Sequence, residues 1–311
     1  MEQEPVGARR RLGAELRRLR GKAGLKLEDV ARALACSTSK ISRLENGKGI
    51  PRRADVDGLL DLYGGVADVE AEMLRRLVTQ SRTRGWWEPF TEGLSTDRYA
   101  LPAPGRYAAV ETDATGVDGF DLSVLHGLLQ TRAYARAVLR ARLPRHDGWE
   151  IDQLVHLRRR RHEALVADPP LRLRSVIDEG VLARVTGSRQ VMVEQLDHLL
   201  ELSELPNVEL RVLPFSAGVQ RAHAGRFAVL EIPDELGPDV VHTEGHAGET
   251  FLDAARDLDT YRRVLADVRA DALDPATSRQ VVAQWRDRHR SAGRPLMIDQ
   301  MSHDRYARPN S

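Results

Sequence analysis

The stretch "STSKISRLENGKG" (37–49) constrains the fold more than any other. Ile41 and Leu44 fall three apart, Ser37 is placed to cap the first turn, and Asn46-Gly47 offers a left-handed stop, so the pattern predicts a helix over 38–45. The segment before it predicts another short helix, from about Leu27 to Ala35. Isolated helices below about 12–15 residues are marginal in water, so neither stands alone. They must share a core with flanking amphipathic segments at 8–23 and 53–63. The residues for that core are Leu16, Leu19, Leu25, Val30, Ala31, Leu34, Ile41 and Leu44, closed by Val56, Leu59 and Leu60. A compact all-α unit over 8–65 follows.

Its exposed face carries the chemistry. A helix set end-on in the major groove of DNA needs short polar side chains and cations on its first turns, above an apolar back that holds it to a supporting helix. Thr38, Ser39, Ser42 and Arg43 face outward, opposite Ile41 and Leu44. Ala31, ten residues before Ile41, is small enough for two helix axes to cross closely. Charge agrees with this reading. Residues 1–60 hold 14 Lys+Arg against 8 Asp+Glu, a net +6, whereas the rest holds 33 against 38, a net −5. All four lysines (Lys22, Lys26, Lys40, Lys48) lie in the basic head, and such asymmetry points to a polyanion bound at one end.

"LRRLRGKAGL" (16–25), "VARAL" (30–34) and "STSKISRLENGKG" together resemble the lambda-repressor and Cro type helix-turn-helix of the XRE family. The resemblance implies that Thr38, Ser39 and Arg43 occupy base-reading positions, flanked by Lys40 and Ser42. Arg20 and Glu45 match an ion pair tying the first helix to the loop, and Asn46, Gly47 and Lys48 match the loop that meets phosphate. Lys26 and Leu27 stand where the family usually has Thr/Ser-Gln capping the second helix, and Ala35 stands in place of the turn glycine. Lys26 remains a phosphate-contact candidate.

At 311 residues and 41% hydrophobic content the chain has room for a second core. Residues 66–104 read as a helical connector leading through "RGWWEPF", whose Trp86, Trp87 and Phe90 suit an interdomain core better than a base-stacking platform. From 105 to 290, β-rich runs (171–178, 207–215, 225–233, 239–244) alternate with helical ones (132–142, 152–167, 188–203, 253–272, 276–290), which predicts an α+β body. The final 291–311 lack periodicity and read as a loose tail. "HGLLQTRAYARAVL" (126–139), with Thr131 as an N-cap, resembles the "PGLLQT..YA" signature of a domain of unknown function that follows XRE modules in many actinobacterial regulators, with His126 in place of the usual Pro. "VIDEGVLAR" (176–184), "PNVELRVLPFSAG" (206–218) and "GRFAVLEI" (225–232) carry the same resemblance. It implies a regulator often encoded beside a small partner protein in an antitoxin-like arrangement.

Enzyme signatures are missing: the sequence has no GxSxG, HExxH, Walker loop or paired Cys motif. "HTEGH" (242–246) groups two histidines and a glutamate on an extended segment without the one-face geometry of a helix. Asp178 and Glu179 are adjacent and point to opposite faces of a strand. "RRRRH" (158–162) reads as the wet side of a helix, and Cys36 as a buried, inert thiol. No catalytic residue, metal or cofactor is expected. No apolar run approaches the roughly 20 residues of a membrane span, and "MEQEPVGARRRLGAEL" lacks the apolar core of a signal peptide, so a cytoplasmic protein is expected. Three readings follow: a homodimeric regulator binding double-stranded DNA whose body dimerises and senses a ligand or partner protein; an antitoxin that neutralises a small partner and autoregulates its operon; and an enzyme with a DNA-targeting head, which the missing motifs disfavour. The loops "PFSAGVQRAHAGRF" and "HTEGHAGETF" are where a body pocket is expected.

Overall fold

A computed structural model describes residues 5–49, 51–82, 85–94, 104–218, 221–245 and 248–291. It shows an all-helical head followed by an α+β body. The head is built from α1 (Pro5–Lys22), α2 (Leu27–Ala33), α3 (Thr38–Glu45), α4 (Arg53–Tyr63) and α5 (Asp68–Gln80). Leu12, Leu16, Leu19, Val30, Ile41, Val56 and Leu59 are almost fully buried in one cluster. Ala71, Leu74, Leu77 and Val78 of α5 join the same cluster, so the packed head runs past residue 65 and takes in the first part of the segment read as a connector. The reason is visible in hindsight: α5 presents an apolar stripe at 71, 74, 77 and 78, which is helical spacing. Cys36 is half-buried at the margin of this core rather than inside it.

Two local features depart from ideal helix-turn-helix chemistry. Ala35, in the turn between α2 and α3, has φ +47°, the sole positive φ outside glycine among the described residues. An L side chain in that region costs about 1–2 kcal/mol. At the start of α2 the Lys26 N–H donates to Asp29 Oδ2 (3.1 Å), but a lysine ammonium has no acceptor to return to the helix N–H groups. Elsewhere the caps are conventional: Ser37 Oγ accepts from the Lys40 N–H at 3.2 Å, and Gly47 takes φ +62° after α3. Gly13 marks the closest approach in the head, since a Cβ there would lie 2.6 Å from the Glu45 carbonyl oxygen and 2.7 Å from that of Leu44.

After the head, Trp87 packs with Ala108, Ala109 and Leu157, and Trp86 and Phe90 flank it. They fasten α6 (Glu88–Thr91) and α7 (Pro104–Thr112) to the body, and no residue of α1 to α5 is in the cluster, so these aromatics belong to the body's packing rather than to the core shared with the head that the sequence suggested. The body continues with β1 (Gly116–Asp121), α8 (Arg132–Arg142), α9 (Gly148–Arg161), β2 (Arg172–Asp178), α10 (Glu179–Ala183), α11 (Arg189–Leu202), β3 (Val208–Leu213), β4 (Phe227–Glu231), β5 (Val240–Gly245), β6 (Gly248–Leu252), α12 (Ala255–Asp271) and α13 (Pro275–Ser291). Among the described residues the strands form one sheet in the order β3-β2-β1-β4-β5-β6. The first three strands are parallel and the last three antiparallel, with β1 joining the halves. Period-two alternation sends Val117, Leu173, Ile177, Val212 and Leu230 to the face covered by α8, α11 and α13. Phe120, Val176 and Phe227 go to the other, under Leu265 and Val268 of α12. Of the expected tail (291–311), Ser291 closes α13, and residues 292–311, like His246, lie outside the described residues.

Candidate functional site

The predicted reading surface forms one exposed face. Ser37, Thr38, Ser39, Lys40 and Arg43 are exposed, Ser42 and Asn46 half-buried, and Lys26 and Lys48 exposed on either side. Beneath them Ile41 is 1% exposed and Leu44 8%. The helix is thus anchored by its back while its polar side stays open. Arg20 holds Glu45 in a two-pronged ion pair, Nε to Oε1 at 2.6 Å and Nη2 to Oε2 at 2.9 Å, and its Nη1 donates to the Leu25 carbonyl at 2.9 Å. Glu45 is 5% exposed, so the pair fixes the end of α3 against α1 from inside the head. Some surface groups already have partners. Lys40 Nζ donates to Asp55 Oδ1 at 2.7 Å, and Asn46 accepts from Arg17 while its Nδ2 donates to Ser42 Oγ at 3.3 Å. Arg43 and Lys48 have no side-chain partner among the described residues.

The loop that follows α3 lies beside the body. Arg10 Nη2 donates to the Pro238 carbonyl at 2.9 Å, next to the turn at Asp234–Leu236 that packs on α1. A cleft of about 510 Å³ opens between the two parts, lined by Arg9, Arg10, Arg43, Lys48 and Arg106 with Asp253 as its acid. Arg106 stands 4.2 Å over the Phe251 ring. The basic face therefore continues from α3 across the joint to α7. A sequence reading confined to 8–65 misses Arg106.

In the body, the motif residues turn out to be structural or inward-facing. His126 Nδ1 accepts from the Leu128 N–H (3.3 Å), which leaves the proton on Nε2, where it donates to Tyr107 Oη at 2.7 Å. Burial and the nearby Arg226 and Arg161 push its pKa well below the usual histidine value, so the ring is neutral. Thr131 caps α8 through the Tyr134 N–H at 3.3 Å. Asp178 ends β2 and caps α10 through the Gly180 N–H (2.8 Å), while Glu179 begins α10 and accepts from Trp285 Nε1 at 3.0 Å and the Phe215 N–H at 2.9 Å. They are not two residues of one strand. His242 is committed to Glu249 (2.9 Å), and Glu244 to Arg142 and Arg226 at 2.5 and 3.1 Å. Described members of both loops, Ala222, Ala224, Gly225 and Arg226 from one and Thr243, Glu244 and Gly245 from the other, line one pocket of about 610 Å³.

The reading of "RRRRH" needs correction. Arg159 and Arg160 are exposed, but Arg158 and Arg161 turn inward. Arg161 binds Glu111 through two hydrogen bonds (2.5 and 2.8 Å) and stands 4.7 Å over the Tyr107 ring, and Arg158 Nη1 donates to Gln130 Oε1 at 2.6 Å. The signal was present: 154, 157, 158 and 161 share one face of a helix, and the first two are leucines that point to the core.

A family model described as a helix-turn-helix domain matches residues 11–74, and one described as a domain of unknown function, DUF5753, matches residues 104–284. No curated protein and no solved structure shows significant similarity to the chain. The helix-turn-helix match identifies the head as a DNA-binding domain, and among the described residues no helix is long and apolar enough to cross a membrane.

Proposed function

The chain belongs to the DUF5753 family, joined to a helix-turn-helix domain, and on that footing we propose that it is a sequence-specific regulator of transcription that reads duplex DNA through α3. The observation that carries this is the exposed row Thr38, Ser39, Arg43 above a buried Ile41 and Leu44, with Lys26, Lys40 and Lys48 at its edges. In the XRE manner, the row enters the major groove and the lysines meet the phosphates. Lys40 must leave Asp55 to do so, an exchange of one exposed ion pair for another that costs little. Specific affinity at physiological salt from so small a reader needs two half-sites about one helical turn, roughly 34 Å, apart, so the working unit is a homodimer held by the body. The body is a sensing module without catalytic function, and the joint at Arg10 and Pro238 is where a change in it reaches the loop at Asn46 to Lys48.

The test is selection of a binding sequence by the full chain, followed by affinity measurements across salt. Arg43→Ala is expected to cost about 1–3 kcal/mol and relax preference at one base position, while Lys48→Ala weakens all sequences alike and lowers the salt slope by about 1. A footprint whose selectivity survives Arg43→Ala, or a monomer with an asymmetric single-site footprint, refutes the corresponding half of this reading.

A further inference from the structure

The carboxyl ends of parallel strands, where neighbouring strands lead off differently, are the usual place for a ligand in an open sheet. Here that place lies between β1 and β4, and it is filled with arginines. Asp121 ends β1, Arg226 precedes β4, and Glu244 lies near the end of β5. α8 adds Arg142, and α9 adds Arg158 and Arg161. These arginines and Glu244, with His126, Gln130 and Tyr107, line a chamber of about 80 Å³, room for a few waters or one small oxyanion, and Asp121 stands behind Arg226.

The charges around this chamber do not balance. Arg161 is taken by Glu111, 4% exposed, and Arg142 and Arg226 share Glu244. Asp121 lies 3.8 Å from Arg226 but gives its other oxygen to the His126 N–H (2.9 Å) and to Ser175 Oγ (3.0 Å). Arg158 makes no ion pair with a carboxylate among the described residues: its hydrogen-bond partner is the neutral Gln130 amide, and Glu244, already shared by Arg142 and Arg226, acts on it only from farther off. Four guanidiniums thus face three carboxylates. Burial, then Arg161, Arg226 and Arg142, push the Arg158 pKa down to about 9 against a partial offset from Glu244. A guanidinium holds its proton at physiological pH all the same, so the cost stands as a cation without a counter-ion. Such a group is stabilised by an anion that brings the missing charge, and the planar guanidinium fork suits carboxylate and phosphate oxygens.

We propose that this chamber binds the anionic head, carboxylate or phosphate, of a small molecule, with Arg158 as its principal contact and Arg142 and Arg226 as flanking donors. The chamber is too small for a nucleoside or a peptide. The wider pocket of about 610 Å³, which shares Arg226 and Glu244 with it, lies next to the head group and takes the remainder. The site gives a chemical class to the sensing role set out above, but it stands on the geometry of the body alone.

Thermal unfolding of the full chain in 20 mM sodium phosphate or sodium acetate, against chloride at equal ionic strength, tests it. One of the two anions is expected to raise Tm by about 3 °C or more, as mass action requires of a ligand bound to the folded state alone. A rise with phosphate identifies a phosphate ester, and a rise with acetate a carboxylate. Arg158→Met is expected to abolish the rise and to leave the anion-free Tm equal to or above that of the parent, because it removes a half-buried charge that has no ion-pair partner; a merely structural arginine gives a lower Tm. Arg159→Met, on the exposed side of α9, keeps the full response. Should Arg158→Met not fold, Arg158→Lys, which keeps the charge and loses the fork, is expected to weaken binding by calorimetry at least tenfold. No rise with either anion, or an equal rise in the Arg158 variant, overturns the proposal. Neither result bears on DNA binding, so failure here leaves the reading of α3 intact.

Discussion

In the head, Arg43 and Lys48 reach into solvent from elements whose apolar side is already buried, and among the described residues they touch no acid. In the body, Arg158, Arg161 and Arg226 come from elements of similar composition, yet point into the protein against Glu111, Glu244 and Gln130. The residue type is the same and the physics differs. An exposed cation is cheap to keep, screened by salt, and available to a polyanion; a buried one is costly, specific, and commits its neighbours to matching it. Net charge alone therefore misleads about the body. The −5 of residues 61–311 describes the outer surface and the pairs together, while the chamber inside the body is lined by four arginines and one acid.

The sharpest way to break this contrast is to remove one arginine from each part. Arg161→Met strands Glu111 in a buried site and is expected to cost about 3–5 kcal/mol of stability. Arg43→Met is expected to change stability by less than about 0.5 kcal/mol. Urea unfolding followed by tryptophan fluorescence reads the body directly, because Trp86, Trp87, Trp149 and Trp285 all lie outside α1 to α5. Equal effects from the two variants would erase the distinction.

Acid separates the parts next. Burial, then His198, pushes the His162 pKa down to about 4, while the unfolded chain titrates near 6.5. Between these values the unfolded state binds the proton and the folded state does not. Stability is thus present above pH 6.5 and lost as pH falls toward 4, by about 2–3 kcal/mol for this residue. The loss should appear in the tryptophan signal, be partly relieved by His162→Gln, and leave amide exchange of α1 to α3 unchanged. The head is instead sensitive to backbone approach. Gly13→Ala sets a methyl against the Leu44 and Glu45 carbonyls and is expected to cost about 1–2 kcal/mol, seen as faster exchange in α1 and α3 with the tryptophan signal unmoved. Smallest of all, Ala35→Gly relieves the positive φ and is expected to stabilise the head by about 1 kcal/mol without altering its DNA preference.

Much of the head was legible because its information is local. Spacing placed α2, α3 and α4 within a residue or two, and the caps at Ser37 and Asn46-Gly47 fixed both ends of the reading helix. Only α5 was misassigned, since whether an amphipathic helix closes a core or bridges two is decided by partners distant in sequence. In the body, four strands and five helices were readable, but β1 and β6 were not. β1 reads "GVDGFD", with two glycines and two acids, yet every residue of it is buried. Asp118 is matched by Arg174 of the next strand, and Asp121 by Ser175 and the His126 N–H. A strand whose polar groups are satisfied by its neighbours leaves no hydrophobic period to find. The inward turn of Arg158 was half visible in the leucines beside it. That it lacks an acid follows only from which side chains the sheet brings within reach.

The same central strand sets the order in which the chain can acquire its shape. Gly116 must meet both Arg172 and Glu231, so no part of the sheet's middle exists until most of the body has been made. The head closes through contacts within its own first eighty residues, and domains generally fold as units from the N-terminus during synthesis. On the ribosome, then, a finished helix-turn-helix head precedes its unfinished body by more than a hundred residues of translation. For that interval α3 and Lys48 face the cell without Pro238 and Asp253 beside them, and the head stands folded before the groups that border it in the finished chain have been made.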